Sequence, residues 1–467
     1  MTASISGFES LQCDFTVPND STPKLSRWSD TNVDRPALIV TPKNEHDIQT
    51  AICIAKDNKL TIVTGGGGHG TFVSVDSKTL YLDMKHFKTI ELNKEHQTAR
   101  VGGGALVGEV LKALTVEGCY TPIPNSDAVG FVGCVLGSGN GVLIGLHGFM
   151  VDNIVSFRLV TAGGDILEVK SSSKGKELAL FNALCGAGHG LAVVTEVTTS
   201  IYPLPALNLD EGDRIWTRTL IFPAPAIDVA AEAFLDLKSP LPEGYVTMAF
   251  ARSPPGTPAA GAPIIVLNYQ FFGPAEKGEK EAALLFQEEL VGTAVMKITD
   301  LLPFVKMNYK NEVYNFHGGH KAIASARLYK TDLESIKSGF NRWLAATQEY
   351  PDAQQTALIM SAYNTAKSVE NSSDKFAENR DRSLNVFIAF VTQEEKTRQA
   401  FTGIMNDIVA GYRKGDEGAT PRSFPNNLRF EMELDEMFDE GRLQVLRDIK
   451  TTWDADGVFW SPYSEAG

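Results

Sequence analysis

Gly65-Gly66-Gly67-Gly68-His69-Gly70 sets an imidazole at the end of four consecutive glycines. Without Cβ atoms such a run can bring its backbone N–H groups close to an anion and take conformations other residues avoid. A tight turn alone would not need four glycines. The run also matches G-x-G-x-x-G by letter. A Rossmann fingerprint requires a helix directly afterwards, so that the helix N-terminus meets the pyrophosphate. Thr71 to Asp76 has no helical pattern, so nicotinamide binding through this loop is set aside.

A second glycine-rich stretch runs from Val129 to Gly141 and contains Gly130, Gly133, Gly137, Gly139 and Gly141. Val151-Asp152-Asn153, Thr161-Ala-Gly-Gly-Asp165 and Leu180 to Glu196 follow it. Between Gly65 and Gly190, 126 residues hold 23 of the 41 glycines, so close backbone approach is concentrated in one part of the chain. Cys13, Cys53, Cys119, Cys134 and Cys185 are odd in number, widely spaced and without a CxxC, which argues against a disulfide framework or a zinc ribbon. His317 and His320 form a pair without a third ligand and make a weak metal site.

Taken in order, these blocks resemble the FAD-linked oxidases with the vanillyl-alcohol-oxidase-type (PCMH-type) fold, in the berberine-bridge-enzyme-like branch. The resemblance rests on Pro36 to His69, Val129 to Gly141, Asp152 to Gly164 and Leu180 to Thr195, with a looser match from Gly441 through Phe459. It implies FAD held by backbone of Gly65, Gly66, Gly67, Gly68, Gly70, Gly130, Gly133, Gly137, Gly139 and Gly141, with Val194 in the same set. It also implies a covalent bond from His69 to the flavin 8α-methyl. Gly65-Gly66 stand where the family usually has Arg-Ser. Ser126 occupies the position of a second, cysteinyl attachment, so a single link is expected. Cys134 falls where relatives often place a histidine near the flavin pyrimidine, and reads as a small packed residue. Leu184-Cys185-Gly186-Ala187-Gly188 replaces Leu-Arg-Gly-Gly-Gly. Val129 matches the position that gates oxygen access, and a valine there resembles oxidases. A single histidyl link resembles members acting on smaller hydrophobic molecules, including those of fungal secondary metabolism.

Removing hydride from an alcohol or amine carbon calls for a base nearby. The block resembling the family's Tyr-x-Asn-Tyr reads Phe430-Glu-Met-Glu433, without tyrosines. On a strand Glu431 and Glu433 would share a face. Glu433 and Tyr314 are the candidates, against the plainer reading of Glu433 as part of a solvated acidic edge. In Leu384 to Val391 neither alternating set, Asn385-Phe387-Ala389 or Val386-Ile388-Phe390, contains an acid.

The elements that must position these residues follow from periodicity. Ala37 to Val40 and Leu60 to Val63 read as strands, and Thr41-Pro42 as a helix start carrying Ile48, Ala51, Ile52 and Ala55. Leu80, Leu82 and Met84 suggest a half-buried strand. Leu106, Val110, Leu111 and Leu114 share a helix face. Val155 to Val160 and Ile166 to Val169 make a hairpin around Gly163-Gly164. Beyond Tyr202 glycine thins, with strands at Thr217 to Phe222, Pro263 to Phe271 and Leu384 to Val391. Helices are expected at Glu279 to Leu290, Glu334 to Glu349 and Asp439 to Asp454, and Ser253 to Pro263 reads as a surface loop.

The expected architecture is α+β: an FAD-binding part over 1–205, a substrate-binding part over 206–425 with an antiparallel sheet covered by helices, and a segment 426–467 returning to the FAD part. A balance of 43 Lys+Arg against 57 Asp+Glu, net −14, argues against nucleic acid. No run of 18 uncharged apolar residues predicts a membrane span, and the first residues do not resemble a secretory signal, so a cytoplasmic protein is expected. The functional expectation is hydride transfer from a small or medium hydrophobic substrate to FAD, with O2 as the second partner and hydrogen peroxide as product. The alternatives are non-redox isomerisation or cyclisation on the same fold, and a non-catalytic ligand-binding protein derived from it. The oligomeric state is not legible.

Overall fold

The computed structural model describes residues 5–428 and 434–463. The first sheet takes β1 (Asp14–Thr16), β2 (Leu38–Thr41), β3 (Thr61–Gly65) and β4 (Thr79–Asp83) in the order β1-β2-β4-β3. β4 pairs in parallel with both β2 and β3. Leu80, Tyr81 and Leu82 are consequently all buried, and β4 is not the half-buried strand that alternation suggested, because parallel central strands are covered on both faces. The helix expected at Thr41-Pro42 begins later, at Glu45–Asp57. Asn44 caps it: its Oδ1 accepts from Asp47 N at 3.0 Å, while Asp47 Oδ2 accepts from Lys43 N and Asn44 N at 2.8 and 3.2 Å. A reciprocal cap of this kind outcompetes a proline start.

The second sheet takes β5 (Ile90–Asn93) and β6 (Thr98–Gly102). After a short ribbon strand β7 (Cys119–Tyr120) it adds β8 (Ile154–Val160), β9 (Ile166–Lys170) and β10 (Val193–Ser200). Its order is β5-β6-β10-β8-β9, all antiparallel, and β7 pairs with β11 (Tyr202–Pro203). β8 and β9 form the expected hairpin. The glycine-rich stretch after Val129 holds a short helix, Phe131–Leu136, and a second, Ile144–His147, follows it. Near the end of the chain Ile62 bridges Phe459, and Trp460 N donates to Ile62 O at 2.9 Å, so the last described segment lies against β3.

The third sheet is antiparallel and has seven strands: β12 (Arg214–Pro223), β13 (Gly244–Arg252), β14 (Pro263–Phe271), β15 (Met296–Pro303), β16 (His320–Leu328), β17 (Ala357–Tyr363) and β18 (Leu384–Thr392). Its order is β15-β12-β14-β13-β17-β18-β16. Helices Ile227–Leu237, Leu333–Glu349 and Glu395–Lys414 cover one face. That face buries Val246, Met248, Leu358, Met360, Val386 and Ile388 among others. The single helix expected over Glu279 to Leu290 is broken into Ala275–Glu281, a 3-10 turn at Ala283–Phe286 and Glu288–Thr293. The structure is α+β, and among the described residues no helix is long and apolar enough to cross a membrane.

Candidate active site

A cavity of about 380 Å³ lies between the glycine loops and the uncovered face of the seven-stranded sheet. On one wall backbone segments meet at three places where a side chain would collide. A Cβ on Gly67 would fall on the Gly130 amide nitrogen, one on Gly66 would press on the Gly103 carbonyl, and one on Gly103 would fall on the Val194 carbonyl. Gly68 is left-handed, at φ +70°. A Cβ on Gly133 would meet no protein atom within 4 Å, because it faces open cavity.

His69 closes this wall. Its ring stacks on Trp28 at 5.2 Å between centroids and 15° between planes, with the edge of His317 at 6.1 Å. Burial, then the charges of His317, Lys321 and Arg27, pushes the imidazole down to about 3, so it is neutral at physiological pH. Its Nε2 is buried without a hydrogen-bond partner.

Trp28 is held in turn. Its N donates to Gly68 O (3.1 Å) and its Nε1 to Tyr314 O (2.6 Å). Lys321, fully buried, donates to the carbonyls of Trp28, Phe316 and Gly318 at 2.6, 2.7 and 2.6 Å. Arg27 Nη2 donates to Gly70 O at 2.9 Å. Gly318 and Gly319 both have positive φ and make the turn between His317 and His320. Among the described residues no group of three metal-ligating side chains exists, these histidines included.

Of the site residues expected from the sequence, His69, Gly65, Gly66, Gly67, Gly68, Gly70, Ser126, Val129, Gly130, Gly133, Cys134, Gly139, Val194 and Tyr314 line the cavity. Gly137 and Gly141 do not. A Cβ on Gly137 would strike the Asn426 side chain, and one on Gly141 the Ile123 carbonyl, so their close approach is to protein. Glu433, with Phe430, Glu431 and Met432, lies outside the described residues. Ser126 Oγ donates to Asn315 Oδ1 at 2.8 Å. Burial pushes the Cys134 thiol up to about 12, which keeps it from being a thiolate. Burial also raises the Tyr314 phenol.

Other lining residues were not singled out in the sequence. Arg27 and Trp28 come from an N-terminal arm with no periodicity to mark it. His189, pushed down to about 4 by burial, bonds Asn426 Oδ1 through Nε2 at 3.2 Å, and Asn426 Nδ2 donates to the carbonyls of Cys134 and Gly137. Tyr245, Thr247, Ile359 and Ser361 come from β13 and β17. Their alternation was the available signal.

The donor set suits FAD. Bare backbone from several loops, a neutral imidazole with an unpartnered nitrogen, and a lining that includes no Asp or Glu among the described residues all accommodate a dinucleotide pyrophosphate and its ring system.

Comparison with known proteins agrees. Residues 36–170 match the FAD binding domain family. The chain is 25% identical over 433 residues to the FAD-linked oxidoreductase azaL of Aspergillus niger, covering 86% of this chain and 88% of that one. Its fold matches Physcomitrella patens BBE-like 1 with TM-score 0.80, at 19% identity over 97% of both chains. It also matches the glucooligosaccharide oxidase of Acremonium strictum, whose flavin is described as a 6-S-cysteinyl, 8α-N1-histidyl FAD. There the TM-score is 0.76, at 18% identity over 94% of this chain and 93% of that one. The chain thus contains an FAD binding domain, is similar over most of its length to FAD-linked oxidoreductases, and has the berberine-bridge-enzyme-like form of the PCMH-type FAD-binding fold.

Proposed function

We propose that this FAD-dependent oxidoreductase is an oxidase carrying one covalent link, at His69, and acting on a small or medium hydrophobic molecule at a C–O, C–N or activated C–H bond. The observation that carries the reading is one cavity walled on one side by the glycine loops with His69 and on the other by an uncharged sheet face. In this reading residues 1–205 and 426–467 hold the cofactor and 206–425 the substrate. FAD, when bound, accepts a hydride from the substrate and is reoxidised by O2 to give hydrogen peroxide.

The chain's own contribution is placement. Backbone of Gly66 to Gly68 and Gly130 holds the dinucleotide, and the neutral His69 imidazole offers a nitrogen lone pair for attachment. Val129 lines the cavity beside the glycine loops, and in this reading O2 reaches the flavin past it. With no carboxylate lining the cavity among the described residues, the substrate's proton has no anionic acceptor there. Tyr314, kept protonated by burial, can hold a hydrogen bond at Oη but is not an anionic base. That favours substrates whose O–H is already acidic or whose C–H is activated.

The test is direct. Denatured protein should retain yellow colour in the pellet, with flavin on the peptide containing His69. Substrate should bleach the flavin without air, and air should then give one peroxide per turnover. Flavin that washes out removes His69 as the attachment point. Turnover without bleaching removes the oxidase reading and leaves isomerisation or cyclisation on the same fold.

A further inference from the structure

The uncovered face of the seven-stranded sheet contains a line of polar residues in cross-strand register. Thr219 pairs with Asn268, Asn268 with Thr247, Thr247 with Ser361, and Ser361 with Asn385. Adjacent strands lie about 4.8 Å apart, so the line spans most of the sheet. A buried polar face is costly unless its groups find partners. At one end they do: Lys310 Nζ donates to Thr219 Oγ1 and Asn268 Oδ1 at 2.8 and 2.6 Å. At the other end, inside the cavity, Ser361 bonds the Tyr245 side chain, but one acceptor is left over. Thr247, Ser361 and Asn385 line the cavity, and Asn385 Oδ1 is buried with no hydrogen-bond partner.

The rows beside this end are apolar. Ile359 pairs with Phe387, and Ala389 with Ile323, and all four line the cavity. No Asp, Glu or Lys lines the cavity among the described residues. Arg327, next in register after Asn385, directs its guanidinium to the carbonyls of Asn379 and Arg382, at 2.9 and 3.0 Å, and lies over the ring of Phe149. It adds positive potential without lining the cavity. A cationic substrate would lose its hydration here and find no counter-charge.

We propose that Thr247, Ser361 and Asn385 form a specificity row that takes one uncharged hydrogen-bond donor of the substrate, a phenol O–H or an amide or lactam N–H, at Asn385 Oδ1. The rest of the molecule, a flat ring system, lies on Ile359, Phe387, Ala389 and Ile323. The row selects such molecules over two kinds of competitor: analogues whose donor is blocked, which leave Asn385 unpaired, and amines that are protonated at neutral pH. A site built to hydrogen-bond a substrate group rejects the analogue lacking it more strongly than an apolar pocket rejects a change of size. The inference rests on the reading that substrate binds in this cavity, beside the flavin.

The test uses purified holoprotein at pH 7 and three probes of one size: 2-naphthol, 2-methoxynaphthalene and 2-(aminomethyl)naphthalene. Binding is followed by calorimetry and by the flavin difference spectrum. 2-Naphthol should bind about tenfold more tightly than its methyl ether, the worth of one buried hydrogen bond, and the amine least. Asn385→Leu should abolish the preference for naphthol while leaving the ether's affinity within about twofold. Ser361→Ala, a smaller change at the neighbouring row position, should reduce the preference. Asn385→Asp should raise the amine's affinity above the naphthol's. Equal binding of naphthol and its ether in the wild type, binding of none of the three, or a preference that survives Asn385→Leu overturns the proposal. If calorimetry shows the Asn385-dependent preference but the flavin spectrum does not move, the row stands and the placement of substrate beside the flavin fails.

Discussion

Arg380 and Asp152 make a paired, bidentate contact between the loop before β18 and the turn before β8. Nη1 and Nη2 each donate to one carboxylate oxygen at 2.8 Å, and the side chains are 6% and 1% exposed. Nη1 also donates to Ser368 O at 3.0 Å, and Phe149 N donates to Asp152 Oδ2 at 2.9 Å. Arg380→Met would strand a carboxylate out of reach of water, and breaking a buried pair from one side costs about 3–5 kcal/mol. Replacing both partners removes two desolvation penalties along with the attraction. The double variant Arg380→Met/Asp152→Leu should therefore recover most of the loss, to within about 1–2 kcal/mol of wild type, less what the freed Phe149 amide costs. The assay is equilibrium urea unfolding of all four proteins, followed by tryptophan fluorescence. Bound flavin is measured alongside, since the pair ties the segment before β18 to the segment before β8. A single variant that loses less than about 1 kcal/mol would show that the pair is hydrated and the interface looser than its geometry. A double variant less stable than either single one would refute the desolvation argument.

Three further outcomes are expected. His147 and His189 are each pushed down to about 4 by burial, so below pH 6.5 the unfolded chain takes up protons the folded chain refuses. Stability should fall with falling pH from about 6.5 to 4, by about 1.4 kcal/mol per pH unit for each fully shifted histidine, and His147→Gln should flatten the slope of the acid-melting curve. Trp28→Ala removes the ring stacked on His69 and should lower the fraction of flavin that survives acid precipitation while leaving dissociable flavin bound, whereas Trp28→Phe should largely restore it; an unchanged fraction in Trp28→Ala would show that the stack does not position the imidazole. Gly133→Leu places a side chain in open cavity and should cut flavin content several-fold at little cost in stability; full flavin occupancy would put the cofactor elsewhere.

Legibility followed the physics of each segment. The glycine loops and His69 could be read because four glycines in succession have few purposes, and their positions lie on the cavity wall. Gly137 and Gly141 belong to the same pattern but do not line the cavity, since glycine records close approach without saying to what. Trp28 and Arg27 had no signal: an arm held by tertiary bonds to Gly68, Gly70 and Tyr314 has no period of its own. The helix at Glu45 was misplaced by three residues because a proline competed with a reciprocal cap. β4 was misread because alternation of Leu with Tyr and Asp does not reveal that a parallel neighbour lies on each side.

β18 shows how one alternating strand specifies both fold and site. Val386, Ile388 and Phe390 bury against the covering helices, while Asn385, Phe387 and Ala389 face the cavity. The same division runs through β13 and β17: Val246, Met248, Leu358 and Met360 lie on the helix side, and Tyr245, Thr247, Ile359 and Ser361 on the other. Apolar burial on one face supplies stability and leaves the opposite face free to carry groups that packing alone would not select. A single-residue slip of any strand would exchange the two sets and put asparagine, serine and threonine against the helices. The strand register that stabilises the sheet is thus the one that aligns Thr247, Ser361 and Asn385 beneath the cavity.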